Sequence, residues 1–314
     1  MSQIFPSAPV DHWSNLLWAV GSPGITGSLE SSFLPTTLPW LPEKRRKRLL
    51  EYFAQSQVNK KLSPQLEAFL QHYSERKPTS RLGVYFERLW AFVFEHHPDY
   101  QLLHHNLPLR IAGKTLGELD FVVRHLPSDT CEHWEVAVKF YLQLPGHFWI
   151  GPGLRDRLDI KLRRMAEHQL PLIRCPEVVH LLQDLNLKIE QQWALIPGRL
   201  FYALEGPAKA RGKLSKRQMQ FWWADPDSFN LYLSTFPQYQ SLRWFYLPKP
   251  TWLAPLQPDL TSESHSDELP KALDKAPVDR PLCVAAKDKS GEVCRGFIVP
   301  KHWYPEALAS LTGH

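Results

Sequence analysis

The stretch from Thr115 to Leu142 constrains the fold more than any other part of the chain, because it contains two segments in which apolar residues alternate with other residues. Strand side chains point to opposite faces in turn, so this pattern predicts two β-strands joined as a hairpin. Asp120 lies on one face of the first strand, and Glu135 and Lys139 lie on one face of the second. Paired strands are about 4.8 Å apart, so the two carboxylates can converge on one point.

Two carboxylates at that separation repel each other unless a proton or a divalent cation lies between them. From the residue pattern alone, three interpretations of Asp120 and Glu135 stay open. They can be polar positions of ordinary strands, a buried pair bridged to Lys139 and Arg124, or the ligands of a metal ion.

Other apolar patterns place helices and strands around this hairpin. A strongly apolar helix is predicted from Leu82 to His97, with Glu87 as its mid-helix acid, and a strand from Tyr100 to Ile111 follows it. A second long helix is predicted from Leu154 to Leu170, and a fourth strand from Trp193 to Leu204, broken by a Pro-Gly pair. The predicted order is therefore helix, three strands, helix and strand, which is an α/β arrangement.

The composition of the chain changes along its length and predicts three parts. Residues 1–79 read as an N-terminal helical segment and residues 80–205 as the α/β core. Residues 206–314 read as a mixed, mostly β extension with a linker near residues 258–279. Its aromatic clusters are more typical of a core than of an exposed surface.

The totals of charged residues and cysteines restrict the classes of protein and partner. There are 37 Lys and Arg residues against 32 Asp and Glu residues, a formal net charge of +5, which permits a polyanionic partner. The four cysteines form no C-x-x-C pair, so we expect reduced thiols in a cytoplasmic protein. No leader-like segment and no apolar run of about 18 residues is present, so neither secretion nor a membrane partner is expected.

Two groups of cations are candidates for contact with a nucleic-acid backbone, since phosphate contacts use Lys and Arg. The first lies on the predicted second helix and the second in the loop that follows Glu205. The residues are Arg157, Lys161 and Arg164 in the helix, and Lys213, Lys216 and Arg217 in the loop. Exposed aromatic side chains could then stack on bases.

The motifs G-E-L-D-F and E-V-A-V-K, in this order of elements, resemble the core of the PD-(D/E)XK nucleases, which is restriction-endonuclease-like. More narrowly, nearly the whole chain resembles a bacterial family known as domain of unknown function 1853, which is placed in that superfamily. The motifs that carry this resemblance are W-A-V-G-S-P, L-G-V-Y-F-E-R-L-W, H-W-E-V-A-V-K-F-Y-L, G-P-G-L-R-D-R-L and P-T-W-L-A-P-L.

The superfamily resemblance implies a role for four residues. Asp120 matches the first metal-binding acid, Glu135 the second, and Glu87 the acid that many members carry on the first helix. Lys139 matches the lysine that orients the attacking water or stabilises charge on the phosphate. The implied cofactor is Mg²⁺ or Mn²⁺.

The sequence departs from the superfamily pattern at the lysine. The usual spacing is E-x-K, but Ala137 occupies that lysine position and Lys139 follows two residues later, roughly 6.6 Å further along a strand. A lysine side chain can fold back over such a distance, and Lys161 on the following helix is an alternative. Lys139 could equally be a structural ion-pair partner of Glu135.

We therefore expect a Mg²⁺-dependent nuclease that hydrolyses phosphodiester bonds of DNA or RNA, with DNA favoured. A phosphodiester is negatively charged and inert, so its cleavage needs charge neutralisation and an activated water. The displaced lysine leaves an alternative, in which the same fold is catalytically inactive and binds nucleic acid or protein. A third interpretation is a structural scaffold whose acids only stabilise the hairpin.

Overall fold

The computed structural model describes residues 7–25, 38–76, 81–204, 220–235, 241–258 and 278–312. The chain folds into two compact units, each built from separate stretches of sequence. We call them the N-terminal unit, residues 11–139 and 159–198, and the C-terminal unit, residues 1–10, 140–158 and 199–314. The predicted α/β class is confirmed, since helices accompany two mixed sheets.

The strands of the described residues, in chain order, are β1 (Tyr100–Ile111), β2 (Lys114–His125), β3 (Thr130–Val136), β4 (Lys139–Gln143), β5 (Trp149–Ile150), β6 (Gln191–Leu195), β7 (Gly198–Ala203), β8 (Phe221–Ala224), β9 (Arg243–Tyr246), β10 (Leu282–Asp288) and β11 (Gly291–Ile298). The α-helices are α1 (His12–Gly21), α2 (Glu43–Phe53), α3 (Ser56–Arg76), α4 (Leu82–His96), α5 (Leu158–Arg164), α6 (Pro176–Asp184), α7 (Pro226–Thr235) and α8 (Trp303–Thr312).

The N-terminal unit contains a four-stranded sheet in the order β1-β2-β3-β6. Strands β1, β2 and β3 are antiparallel neighbours, and β6 runs parallel to β3. The turn between β1 and β2 has Ala112 at φ 47° and Gly113 at φ 79°. Two positive φ angles are what a two-residue hairpin needs to match the twist of its strands. The predicted hairpin is formed by β2 and β3. The predicted helix, three strands, helix and strand follow one another from α4 to β6, but β4 and β5 before α5 and α6 after it were not predicted.

Helix α4 fills one face of this sheet with aromatic side chains. Phe86 and Trp90 are fully buried, and the Trp90 and Trp134 rings lie 5.7 Å apart between centroids. Phe94 packs against Phe121 at 5.3 Å. Each such side chain removes a large apolar area from water, so the helix is held to β2 and β3 by burial.

The prediction that one strand continues past Glu135 to Leu142 is wrong. Strand β3 ends at Val136, whose backbone N–H donates to Asp120 Oδ2 at 2.9 Å. The next strand, β4, begins at Lys139 and belongs to the seven-stranded sheet. Glu135 and Lys139 are therefore not on one face of one strand.

The predicted helix from Leu154 to Leu170 is shorter and less regular in the structure. Leu154 has a φ of 60°, which a helix cannot contain, and α5 begins at Leu158. After Arg164 the chain forms a π-helical turn from Met165 to Gln169. The predicted fourth strand is interrupted at its Pro-Gly pair, as expected, and forms β6 and β7.

The seven-stranded sheet of the C-terminal unit has the order β5-β4-β7-β8-β11-β10-β9. The expected core role of its aromatic clusters is confirmed for Trp222, which is 0% exposed, and for Trp244 at 3%. Arg295 is fully buried and donates to the Glu292 carboxylate and to the Ala254 carbonyl. A buried guanidinium needs such partners for its donors, so this pair fixes the P-T-W-L-A-P-L segment to β11.

The predicted domain limits at residues 79 and 205 stay a prediction, and most of the predicted linker near 258–279 lies outside the described residues. In the part of the chain that the structure describes, none of the helices combines the length and the apolar character needed to cross a bilayer.

Replacement of Gly198 by alanine tests the close approach beside the end of β3. A Cβ atom at Gly198 would lie 1.8 Å from the Lys139 carbonyl oxygen, a backbone atom that no rotamer change can move. We expect Gly198→Ala to lower the free energy of unfolding by about 3 kcal/mol or more, measured by urea denaturation. Gly83→Ala is the control, because nothing lies within 4 Å of that Cβ position in α4. Equal urea midpoints for Gly198→Ala and Gly83→Ala would contradict the close contact between Gly198 and the Lys139 carbonyl.

Candidate functional site

Glu135 is the most deeply buried acid of the predicted site, with 2% of its side chain exposed. Its Oε1 accepts a hydrogen bond from the Gln169 side-chain amide and lies 3.8 Å from Lys161 Nζ. Its Oε2 has no hydrogen-bond partner among the described residues and faces His133 Nε2 at 3.7 Å. A buried carboxylate oxygen without a full hydrogen bond is rare and indicates a place for a proton or a cation.

Asp120 reaches the same place from the neighbouring strand. Its half-buried side chain accepts the hydrogen bond from the Val136 backbone N–H. Phe121 pairs with Trp134 in the β2–β3 ladder, so Asp120 and Glu135 are the next residues on the two strands. The predicted convergence of these two acids is therefore a property of the strand register.

Glu87 lies on α4 and is half-buried. The Asn106 side chain hydrogen-bonds to its carboxylate, and the charges of Asp120 and Glu118 act on it. Asn106 has a φ of 55° within β1, a left-handed conformation that Asn tolerates better than most residues. The sequence analysis missed Asn106, for which an Asn inside a strand pattern was the available signal.

Burial and mutual repulsion raise the pKa values of all three acids. Burial raises the pKa of Glu135 to about 8, and the charge of Asp120 adds to this while Lys161 opposes it. Burial raises the pKa of Asp120 to about 6, against the Val136 hydrogen bond and Lys161. Burial, then Asp120 and Glu118, raise the pKa of Glu87 to about 7. Near neutral pH this group of acids therefore takes up a proton readily, and a divalent cation can replace it.

His133 is a second residue that the sequence analysis did not place at this site. It is fully buried, and burial lowers its pKa to about 4, so the imidazole is neutral. The Gln192 amide donates both to the Leu170 carbonyl and to His133 Nδ1, at 2.9 and 3.0 Å. Because Nδ1 accepts, Nε2 carries the hydrogen and directs it at Glu135 Oε2.

Lys161 is the cation that acts on both strand acids. Its side chain is 14% exposed, its Nζ donates to Gln169 Oε1 at 2.9 Å, and it lowers the pKa of Asp120 and of Glu135. Lys139 begins β4, where its backbone N–H donates to the Pro197 carbonyl at 3.0 Å. The structure thus brings the alternative lysine, Lys161, to the acids.

A surface pocket of about 590 Å³ opens beside Asp120. Its wall includes Gly117 and Glu118 on β2, Arg164 on α5, and His168 and Gln169 on the π-helical turn. Arg164 and His168 are exposed. The pocket therefore has acids on its strand side, and on its helix side the acid Glu167 lies beside Arg164, His168 and Gln169. Arg164 is the group that can bind a phosphate there.

The predicted nucleic-acid contacts of the helix are divided between the two units. Arg164 lies at the pocket, and Lys161 points to Glu135. Arg157 precedes α5 in the C-terminal unit, with its guanidinium 5.3 Å from the centre of the Phe148 ring. The predicted loop residues Lys213, Lys216 and Arg217 lie outside the described residues.

No group of three or more His, Cys, Asp or Glu side chains in the described ranges is arranged to hold a metal ion. Glu87, Asp120 and Glu135 are therefore not a three-ligand cluster. A cation held by Asp120 and Glu135 would take its remaining ligands from backbone, water or substrate, as Mg²⁺ commonly does.

The raised pKa of Glu135 predicts how stability depends on pH. The folded-state pKa of Glu135 is about 8 against an ordinary value of 4.5. The contribution of Glu135 to stability is therefore fully present below pH 4.5 and is lost as the pH rises to 8. In metal-free buffer we expect the melting temperature of Glu135→Gln to rise relative to that of the native protein from pH 5 to pH 8, because the variant lacks this loss. The variant should melt several degrees higher at pH 8, measured by differential scanning fluorimetry.

Glu51→Gln is the matched control for this experiment, since Glu51 is exposed on α2. It should follow the native curve. Parallel curves for the native protein and Glu135→Gln would mean that the pKa of Glu135 is not raised in the folded state.

A family model described as "Domain of unknown function (DUF1853)" matches residues 15–299. No curated protein and no solved structure was found to match the chain. Since the matched region includes both α4 and β11 and every residue of the candidate site described above, the chain belongs to the DUF1853 family.

Proposed function

We propose that this chain is a metal-dependent nuclease with a PD-(D/E)XK core, which hydrolyses phosphodiester bonds of DNA or RNA with Mg²⁺ or Mn²⁺. The observation that carries the proposal is the convergence of Asp120 and Glu135, on adjacent strands, with Lys161 3.8 Å from Glu135. The sequence of α4, β1, β2, β3, α5 and β6, with β4 and β5 inserted before α5 and α6 inserted after it, supports the same proposal.

The donor set fits a hard divalent cation. Mg²⁺ is often held by one or two carboxylates and completes its shell with water and phosphate oxygens. Asp120 and Glu135 supply such carboxylates, and Glu135 Oε2 lacks a hydrogen-bond partner in the described chain. When bound there, the cation would act as a Lewis acid on the phosphodiester and on a water molecule.

The other residues have roles that follow from their positions. Lys161 supplies positive charge beside the acids and is preferred here over Lys139 as the catalytic lysine. Arg164 and His168 line the pocket and would hold the phosphate backbone, which is the predicted role of Arg164. The charge of Asp120 helps to raise the pKa of Glu87 to about 7. A carboxylate with a pKa near neutral pH can act as a general base, so Glu87 would accept a proton from a water molecule.

Metal binding is the first test of this function. We expect isothermal titration with Mn²⁺ to show saturable binding to the native protein and at least about tenfold weaker binding to Asp120→Asn, because a ligand oxygen charge is lost. Glu51→Gln, an exposed acid-to-amide change, should bind as the native protein does. Equal binding by Asp120→Asn and the native protein would remove Asp120 from the site.

Cleavage assays separate the two lysines and the inactive alternative. With Mg²⁺ and single- and double-stranded DNA and RNA, Lys161→Met should reduce cleavage roughly 10²-fold or more while Mn²⁺ binding persists. Lys139→Met tests the other candidate, and Lys60→Met on the exposed face of α3 is the control. If cleavage is lost in Lys139→Met and not in Lys161→Met, Lys139 is the catalytic lysine.

The alternative function is binding of nucleic acid or protein without catalysis. The observation that favours it is the lack of a three-ligand cluster in the described residues. A site with only two carboxylate ligands from the protein holds a metal ion weakly. It predicts nucleic-acid binding at low salt that is equal for the native protein and an Asp120→Asn, Glu135→Gln double variant, with no cleavage by either.

A further inference from the structure

The side chain of Gln169 is placed between the lysine and the acid of the candidate site. Its Oε1 accepts from Lys161 Nζ at 2.9 Å, and its Nε2 donates to Glu135 Oε1. Lys161 Nζ and Glu135 Oε1 are 3.8 Å apart, beyond the roughly 2.7–2.9 Å of a direct charge-assisted hydrogen bond. Each end of one neutral amide is therefore bonded to an opposite charge.

The π-helical turn explains how Gln169 reaches this position. Gln169 follows Lys161 by eight residues, which in an α-helix is a rotation of about 800°, or about 80° beyond two full turns. Residues Met165 to Gln169 are π-helical, and with roughly 4.4 residues in a turn each residue advances only about 82°. Four such steps remove about 70°, so Gln169 returns to the face of Lys161.

The end of the π-helical turn is fixed from the neighbouring strand. The Leu170 carbonyl accepts from the Gln192 amide on β6, and the same amide donates to His133 on β3. A π-helical turn is rarer than an α-helical one and is often found at functional sites. The turn is thus bonded on both sides to groups that surround Glu135.

We infer that Gln169 is a positioning residue that holds the Lys161–Glu135 ion pair at 3.8 Å, beyond direct hydrogen-bond contact. This inference rests on the proposed function for its consequence. A direct hydrogen-bonded pair would occupy Glu135 Oε1, compensate more of the carboxylate charge that a metal ion needs, and hold the lysine away from a phosphate. The amide bonds to both groups and adds no charge of its own.

The first experiment is a pair of crystal structures, of the native protein and of Gln169→Met, in metal-free buffer. Methionine has nearly the length of glutamine but neither donates to Glu135 nor accepts strongly from Lys161. The distance from Lys161 Nζ to Glu135 Oε1 should fall from 3.8 Å to about 2.8 Å. A distance that stays the same would overturn the inference. Gln183→Met, at an exposed position of α6, is the matched control and should leave the distance unchanged.

Titration with Mn²⁺ supplies the functional test. Gln169→Met should bind Mn²⁺ roughly 10–100-fold more weakly than the native protein. The double variant Gln169→Met, Lys161→Met should regain most of that affinity, because no cation remains to pair with Glu135. If Gln169 merely orients Glu135, the double variant will stay as weak as Gln169→Met, which would overturn the inference.

The two experiments separate failure of the inference from failure of the proposed function. A native protein that binds no Mn²⁺ would contradict the proposed function, while the crystal structures would still decide whether Gln169 holds the two charges apart. If Gln169→Met does not fold, Gln169→Glu keeps an acceptor for Lys161 and loses the donor to Glu135. The Lys161–Glu135 distance should then lengthen, and a shorter one would overturn the inference.

Discussion

The structure of the N-terminal unit depends on how it accommodates the carboxylate of Glu135. An isolated charge inside a protein costs several kcal/mol or more, so a buried acid must be neutralised or surrounded by donors. Here Gln169 of the π-helical turn donates a hydrogen bond, and Lys161 of α5 and His133 of β3 lie within 4 Å of the carboxylate. The position of the helix relative to the sheet is therefore set by the polar groups around Glu135 as much as by apolar packing.

Another buried acid of β3, Glu132, shows what a purely structural solution looks like. Its carboxylate is paired with Arg45 of α2 and accepts a hydrogen bond from Trp134 Nε1 at 2.9 Å. Both of its oxygens thus have fixed partners on the α4 side of the sheet. Glu135 differs because one of its oxygens has no hydrogen-bond partner in the described residues and because its burial raises its pKa to about 8. The two buried acids of β3 therefore differ in their bonding, and of these two only Glu135 has an oxygen that can accept a further ligand.

The sequence was sufficient to predict the features that follow from alternation and register. Apolar periodicity gave α4 and the strands β1 to β3, and antiparallel register placed Asp120 beside Glu135. Prediction from the sequence failed where a side chain bonds to a distant part of the backbone and where the helical geometry changes. The Val136 N–H at the end of β3 bonds to the Asp120 carboxylate, and the orientation of Gln169 depends on the π-helical turn. Neither has a local sequence signature, because each depends on groups that are distant along the chain.

The end of β3 also gives a physical reason for the departure from the E-x-K spacing. After Val136 the backbone continues to bond along β6, through Ala137 to Leu195, and then enters the seven-stranded sheet at Lys139. A lysine two residues beyond the usual position is therefore no longer on the strand face that carries Glu135. A helix can supply the charge instead, because the long stem of Lys161 reaches the sheet from α5 and is anchored at its ammonium by Gln169. In the proposed nuclease, Lys161 and the π-helical turn that holds Gln169 would together supply the positive charge that Ala137 does not.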